Sequence, residues 1–337
     1  MSERRRARHA NARVKDVLVE MDTIRYLFDN DFDGHYAQRY FAQHPMQPAV
    51  VIAIYLVLVR YGPRWMERRQ PFRLKTVSRC WNFSVALFSI CGALVCVPHL
   101  IRQLLGRGFW YSVCANVYEL AGYGPPALWA AAFTWSKLFE LFDTALLVLK
   151  KRPVITLHWF HHASVIGFAW AAWAYETPAA LWYGAMNYSV HALMYTYFAL
   201  TSVDGCRDSV LRFARTITTL QISQFAFGTV INGFAAVAYL TPGVGCAIHP
   251  FILQLAAALY VAYGALFVRL FVERYLRPKQ APHGGVAHAA EARTANDVES
   301  WPSQITPCEP LMPLSSCSQL DGKGLAKLLP KGKGKGT

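Results

Sequence analysis

The sequence is poor in charged residues, and especially in acidic ones. Only 16% of its 337 residues are charged, against about 25% in soluble domains, while 54% are hydrophobic, which excludes an ordinary soluble domain. The 20 Asp and Glu residues stand against 34 Lys and Arg, giving a formal net charge of +14. Most basic residues flank apolar segments, where they orient helices and meet lipid headgroups. We therefore predict membrane lipids, and no nucleic acid, as partners.

We also expect no cleavable signal peptide, because the Arg-rich first residues are not followed by an apolar stretch. Further along, about seven apolar windows approach the roughly 20 residues needed to cross a bilayer. The sequence thus predicts an all-α polytopic membrane protein with about seven transmembrane helices. The windows are 46–62, 81–104, 128–149, 154–174, 178–200, 214–239 and 250–273.

The loops after the first, third, fifth and seventh windows are basic, and short basic loops stay in the cytosol. We predict a lumenal amino-terminal segment (1–45), a membrane domain (46–276) and a disordered cytosolic tail (277–337) rich in small and polar residues. Lys333 and Lys335, five and three residues from the end, resemble a cytosolic lysine signal that returns membrane proteins to the endoplasmic reticulum. A solvated low-complexity tail is the alternative.

The fourth window contains His158, His161 and His162 at H-x-x-H-H spacing. On a helix these side chains span an arc of about 100°, so one wall of a cavity can present all three. A single buried histidine is usually a hydrogen-bonded core residue. Three ionisable side chains at bilayer depth are costly, however, and favour a reaction or ligand site.

A metal centre is the competing interpretation, because imidazoles at this spacing are good ligands for iron or zinc. Membrane di-iron desaturases and hydroxylases contain similar boxes, but they combine several of them. This sequence has no second box, and of its other histidines only His191 is a candidate intramembrane addition to the group, since His99 stands alone in the second window. We predict no metal. A metal-dependent lipid desaturase or hydroxylase, or a non-catalytic lipid transporter, remains the alternative.

The third window places Lys137, Glu140 and Asp143 at successive i, i+3 positions, so these side chains should face protein and not lipid. They predict either groups that orient a substrate or a buried charge network that only fixes helix packing.

Polar residues at helical spacing recur in the fifth and sixth windows. Asn187 lies one turn before His191 and Tyr195 one turn after it. An asparagine can donate a hydrogen bond to an oxyanion, and a histidine can act as a base. Gln221 and Gln224 follow at three-residue spacing, which is equally typical of amides that join membrane helices.

Cys114 and Cys246 both lie on the predicted lumenal side, one between the second and third windows and one between the sixth and seventh. An oxidising lumen permits a disulfide between them. Two free thiols are the alternative.

Taken together, the motifs resemble the four signature motifs of the ELO family, the elongases of very-long-chain fatty acids, in the same order. The resemblance covers about residues 46–276. The motifs are Lys137-x-x-Glu140-x-x-Asp143-Thr144, His158-x-x-His161-His162, Asn187-x-x-x-His191-x-x-Met194-Tyr195-x-Tyr197 and Thr218-x-x-Gln221-x-x-Gln224.

The resemblance implies a 3-oxoacyl-CoA synthase of the endoplasmic reticulum membrane. Such an enzyme condenses a long-chain acyl-CoA with malonyl-CoA, releases CO2 and CoA, and needs no cofactor. The resemblance also implies six helices in a ring around a closed-ended acyl tunnel, with one helix outside. Trp159 and the run Met186-Asn187-Tyr188 resemble the branch that acts on saturated and monounsaturated chains. Phe198 departs from the family, which has tyrosine there.

No cysteine lies in any motif, so a thiol is not available there as the nucleophile. We expect an imidazole to act as the nucleophile instead. His161 would take the acyl group or position its thioester, with help from His191.

The remaining site residues are expected to support that chemistry. The implied protein partners are the ketoacyl reductase, dehydratase and enoyl reductase of the elongation cycle, and a homo-oligomer is left open. In the expected roles, His158 and His162 orient groups or relay protons, Asn187, Gln221 and Gln224 stabilise oxyanions, and Lys137, Glu140, Asp143 and Tyr195 contact substrate.

Overall fold

The computed structural model describes residues 31–203 and 205–277, and these residues form helices joined by short connections. The described part contains no strand, only an isolated bridge between Asp33 and Tyr123. The predicted all-α class is confirmed. The helices are α1 (Gly34–Gln43), α2 (Met46–Met66), α3 (Lys75–Cys114), α4 (Val117–Ala121), α5 (Gly124–Phe139), α6 (Leu141–Leu149), α7 (Thr156–Ala174), α8 (Ala180–Thr201), α9 (Arg207–Leu211), α10 (Ala214–Leu240) and α11 (Pro250–Phe271), followed by a π-helical turn at Val272–Leu276.

Each of the seven predicted windows contains a helix. Within the described residues, four helical segments are long and apolar enough to cross a membrane, namely α2, α3, α9 with α10, and α11 with its π-helical turn. In the third window the helix is divided into two pieces that are each too short to cross a membrane alone. The helices of the fourth and fifth windows contain histidines and other polar motif residues, which lower their hydropathy. Large apolar side chains point outward, including Leu94 (70% exposed) and Leu105 (81% exposed). A surface of this kind suits lipid and confirms a polytopic membrane protein.

The third window differs from the single helix that its spacing suggests, because the helix breaks at Glu140. The α5 helix ends at Phe139 and α6 begins at Leu141. The amide of Asp143 donates to the carbonyl of Glu140 at 3.1 Å, a tighter turn than the α-helical one. No glycine or proline marks this break in the sequence. The break lets Lys137 and Asp143 face different partners.

Six helices close into a ring, in the order α3, α8, α10, α11, α7, α5 and back to α3, with each helix packed against the next. The α2 helix lies outside the ring against α6 and α7, and α1 packs on α5 and α7. Six ring helices and one outer helix are the arrangement that the family resemblance implied. Buried polar residues of each of the four motifs lie on the ring helices, namely Lys137, His162, Asn187, Thr218, Gln221 and Gln224.

The basic connections gather at one end of the ring. Lys151 Nζ donates to the carbonyl oxygens of Glu67 and Arg69, both at 3.1 Å, and a guanidinium nitrogen of Arg79 donates to the carbonyl of Ser202. These residues belong to the connections after the first, third and fifth windows. Their position at one end of the ring agrees with the prediction that these basic loops lie on the same side of the membrane. Which compartment this end faces stays a prediction.

The opposite end of the ring contains the two cysteines. In the structure a disulfide joins Cys114, at the end of α3, to Cys246, in the connection before α11. The amide of Ala247 also donates to the carbonyl of Cys114 at 2.8 Å. Two parts of the predicted domain organisation lie outside the described residues. They are residues 1–30 of the predicted lumenal segment and residues 278–337 of the predicted tail, including Lys333 and Lys335.

We expect the double variant Cys114→Ser/Cys246→Ser to be less stable by about 2–5 kcal/mol, because the disulfide closes a long loop in the unfolded chain. The sequence separation of the two cysteines is 132 residues. Thermal unfolding of the purified protein measures the loss, with Cys80→Ser, at an exposed free thiol, as the matched control. Alkylation of both Cys114 and Cys246 in the unreduced, denatured protein would contradict the disulfide.

Candidate active site

The centre of the ring contains a buried ion pair between Lys137 and Glu140. Lys137 Nζ donates to Glu140 Oε1 at 2.7 Å and to Asn187 Oδ1 at 3.0 Å. Ser136 Oγ donates to the same carboxylate oxygen at 3.2 Å, and His191 Nδ1 lies 4.0 Å from it. The side chains of Lys137 and Glu140 are 2% and 4% exposed, so each charge depends on the other for compensation.

This arrangement orients Asn187. Because its carbonyl oxygen accepts from Lys137, the amide NH2 group points away from the cation and can donate to another acceptor. A buried amide donor that is held in this way is suited to stabilise a developing oxyanion by a hydrogen bond.

His161 projects from α7 towards the same centre. It lies close enough to His191, Lys137 and Glu140 for their charges to interact. Its ring contacts the ring of Tyr263 at a centroid distance of 4.8 Å. Its Nδ1 atom is buried and has no hydrogen-bond partner within the described part of the protein. Buried nitrogen atoms without a partner are uncommon and frequently belong to functional sites.

Of the other two histidines of the box, His158 is held by a hydrogen bond, whereas the buried Nδ1 of His162, like that of His161, has no hydrogen-bond partner among the described residues. His158 Nε2 is 2.8 Å from the hydroxyl of Thr144, which is itself 3.0 Å from the hydroxyl of Tyr55 on the outer helix α2. The rings of His158 and His162 are 4.5 Å apart, and those of His161 and His162 are 5.6 Å apart. The spacing therefore brings all three histidines together, as the predicted arc requires.

Asp143 belongs to a separate cluster nearer the basic end of the ring. Trp81 Nε1 donates to Asp143 Oδ1 at 2.7 Å, and the hydroxyl of Tyr195 donates to Asp143 Oδ2 at 2.5 Å. This carboxylate joins α3, α6 and α8. Asp143 therefore contacts a tryptophan and a tyrosine, and not the Lys137 cation with which it shares a motif.

The sixth-window amides lie on α10 and are buried. Gln221 Nε2 donates to the sulfur of Met194 at 3.2 Å, and Gln221 Oε1 has no partner among the described residues. Gln224 lies one turn further along and is 8% exposed. Both face the interior of the ring, and their role at an oxyanion stays a prediction.

A cavity inside the ring lies between this centre and the disulfide end, and none of the histidines, Lys137, Glu140 or Asn187 lines it. It begins beside Phe133, whose ring lies 4.2 Å from Lys137 Nζ, and beside Tyr188. It reaches Tyr118 and Glu176, which are joined by a hydrogen bond of 3.2 Å. Burial and the neighbouring Glu176 raise the pKa of Tyr118, so its hydroxyl remains a donor. Most of the lining in between is apolar.

Sequence patterns missed several contacts of the site residues. Tyr55, Trp81 and Tyr263 lie singly in apolar segments, where an aromatic residue usually means packing. Their partners are on other helices, so no spacing within one helix points to them. The one signal is the polar tip of each side chain, which needs a partner when it is buried.

The site thus places a histidine at the centre of a ring of membrane helices, beside an amide donor and a compensated lysine. This combination defines a class of polytopic membrane protein with a buried group of side chains of the kind used in acid–base or nucleophilic chemistry. Among the described residues, no three His, Cys, Asp or Glu side chains converge in a way that could hold a metal ion.

The chain belongs to the ELO family: the profile described as ELO: GNS1/SUR4 family matches residues 40–283. It is 36% identical over 274 residues to fatty acid elongase 3 of Trypanosoma cruzi, covering 74% of this chain and 91% of that protein. It is 34% identical over 302 residues to very long chain fatty acid elongase 6 of Drosophila melanogaster, covering 86% and 93%. Long chain fatty acid elongase 1 of Caenorhabditis elegans is 35% identical over 265 residues, covering 77% and 90%.

Proposed function

We propose that this protein is a fatty acid elongation enzyme that condenses a long-chain acyl-CoA with malonyl-CoA to give 3-oxoacyl-CoA, CO2 and CoA. The family and the named relatives support fatty acid elongation. The observation that supports the condensation chemistry is the buried group of His161, His191, Asn187 and the Lys137–Glu140 pair inside the ring. A largely apolar cavity lies next to it, and Phe133 of the cavity lining packs on Lys137.

In the first proposed step, an uncharged ring nitrogen of His161 attacks the thioester carbon of the acyl-CoA. The carbon–sulfur bond breaks, and a positively charged acyl-imidazolium and the CoA thiolate are formed. The proton on the other ring nitrogen passes to the thiolate, with His191 as the relay, so CoA leaves as a thiol. The NH2 group of Asn187 stabilises the oxyanion that forms during the attack.

In the second proposed step, malonyl-CoA loses CO2, and the electron pair of the broken carbon–carbon bond forms an enolate. The enolate carbon attacks the acyl carbon on His161. The carbon–nitrogen bond breaks, and 3-oxoacyl-CoA is released. The departing imidazolate takes one proton from solvent, with His191 as the relay, and so becomes the free imidazole again. Lys137 and basic residues at the ring's end contribute positive charge for the malonyl carboxylate and the CoA phosphates.

A direct test is to incubate the purified full-length protein in detergent with palmitoyl-CoA and carbon-13-labelled malonyl-CoA. We expect a 3-oxoacyl-CoA with two more carbons, both from the label, and one CO2 for each product, identified by mass. Protein without malonyl-CoA is the control. Palmitoyl-CoA that is bound but never lengthened would contradict the proposal and favour a lipid transporter.

The finer assignments belong to the same proposal. Trp159 and the run 186–188 support saturated or monounsaturated chains. The family resemblance and the lysines near the end of the sequence support the endoplasmic reticulum membrane, and the basic loops support a cytosolic carboxyl terminus. The reductases and the dehydratase of the cycle would consume the 3-oxo product. Comparing palmitoyl-CoA with an equally long polyunsaturated acyl-CoA tests the preference, and faster lengthening of the polyunsaturated chain would contradict it.

A further inference from the structure

An apolar groove runs along the outside of the ring, where α2 meets α6. Its walls are Val57, Tyr61 and Trp65 on α2 and Ala145, Val148 and Leu149 on α6, and we call it the α2–α6 groove. Its volume is about 340 Å³. The groove is separate from the cavity inside the ring, and none of its lining residues belongs to the catalytic cluster.

Gly62 brings the two walls of the groove together. A Cβ atom at this position would lie 2.9 Å from Val148 Cγ1, which is closer than side chains normally pack. The α2 backbone therefore approaches α6 directly at Gly62. The larger residues Val57, Tyr61 and Trp65, spaced one turn apart, are 57%, 56% and 53% exposed. They form an outer wall open to the surroundings of the ring.

Cations surround the basic end of the α2–α6 groove. The guanidinium carbons of Arg60 and Arg64 both lie 5.9 Å from the ring centre of Tyr61, and that of Arg69 lies 4.1 Å from the ring centre of Trp65. Each of these arginines therefore packs on an aromatic residue of the groove wall, which keeps its charge beside the groove.

The connection between α2 and α3 is fixed across this end. Phe72 donates its amide to the carbonyl of Leu149 at 3.0 Å, and Lys151 Nζ binds the carbonyls of Glu67 and Arg69. Seven Lys and Arg residues but only one acid, Glu67, occur between positions 60 and 79. The end of the groove is thus strongly positive.

We propose that the α2–α6 groove binds one anionic glycerophospholipid, with an acyl chain in the groove and its phosphate between Arg64 and Arg69. An apolar slot that ends in arginines matches an amphiphile with a negative head, and basic pockets beside membrane helices bind such headgroups. A second copy of this chain is a poor occupant, because a two-fold interface would bring two identical basic clusters together. The CoA moiety fits less well, because it has no long alkyl chain of its own to fill the apolar slot.

The test uses full-length protein equilibrated with equal amounts of phosphatidylinositol and phosphatidylcholine, with bound lipid counted by native mass spectrometry. We expect retention of one phosphatidylinositol per chain in preference to phosphatidylcholine. Because each basic residue near a headgroup contributes about fivefold in affinity, Arg64→Gln/Arg69→Gln should weaken phosphatidylinositol binding about 30-fold. The matched control is Arg274→Gln/Arg277→Gln, which removes two exposed arginines elsewhere at the same end.

A second variant tests the groove itself. Ala145→Phe fills the slot without changing charge, and we expect it to reduce retention of both phospholipids. Equal retention of the two lipids by the wild type, or an equal loss in the Arg274/Arg277 control, would overturn the proposal. So would displacement of phosphatidylinositol by free CoA, or a dimer that only Ala145→Phe disrupts.

Discussion

Replacing His161 with glutamine is expected to lower the rate of 3-oxoacyl-CoA formation by on the order of 10³-fold or more, the scale seen when an enzyme loses its nucleophile. Glutamine keeps a polar side chain of similar size but cannot accept an acyl group from a thioester. The thermal unfolding temperature should change little, because His161 Nδ1 makes no hydrogen bond within the described residues. The rate is measured with purified protein, acyl-CoA and labelled malonyl-CoA.

His191→Gln is expected to lower the same rate by about 10²–10⁴-fold, the usual range for loss of a general base. His99→Gln is the matched control. His99 lies on the ring helix α3 but bonds the carbonyl of Leu120, at 2.7 Å, and belongs to no motif. A variant at His161 that still elongates acyl-CoA at a tenth or more of the normal rate would contradict its proposed role.

Replacing Lys137 with methionine is expected to destabilise the protein by about 3–5 kcal/mol, because it leaves the Glu140 carboxylate buried without its cation. Glu140 Oε2 already has no partner within the described part of the chain, and Oε1 receives its shortest hydrogen bond from Lys137. The free energy of unfolding, measured by thermal or denaturant melts in one detergent, gives the loss.

The double variant Lys137→Met/Glu140→Gln should recover much of that stability, since it removes both charges together. It should not recover activity, because Asn187 loses the lysine that orients it. The matched control is Arg269→Met. It breaks an exposed ion pair with Glu273 at 2.8 Å, and such pairs contribute well under about 1 kcal/mol. If Lys137→Met is as mild as this control, the buried pair does not stabilise the fold.

Much of the fold follows from hydropathy, because a segment of about 20 apolar residues has few alternatives to a helix in lipid. The first window shows where this pattern is incomplete. Arg60 and Pro63 suggest an early end, yet α2 continues to Met66, because outward positions near a helix end tolerate both. The break at Glu140 and the short helix Gly34–Gln43 depend on contacts with other elements. Gly34, for example, donates its amide to the carbonyl of Gly122 at 2.9 Å.

The candidate site shows a similar division. The spacing of Lys137 and Glu140, and of the three histidines, places each group on one helix face. The sequence contains no equivalent signal for contacts between helices, such as Lys137 with Asn187, which is 50 positions away. Asp143 illustrates the consequence: its motif suggests a place beside Lys137, but the turn at Glu140 directs it towards Trp81.

The central claim is that His161 carries the acyl group during condensation. The measurement that tests it most directly is the mass of the intact protein after incubation with acyl-CoA and no malonyl-CoA. We expect an increase equal to one acyl group, release of one equivalent of CoA, and fragments that locate the acyl group on His161. An unmodified protein that nevertheless forms 3-oxoacyl-CoA when malonyl-CoA is added, or an acyl group on another residue, would contradict the claim.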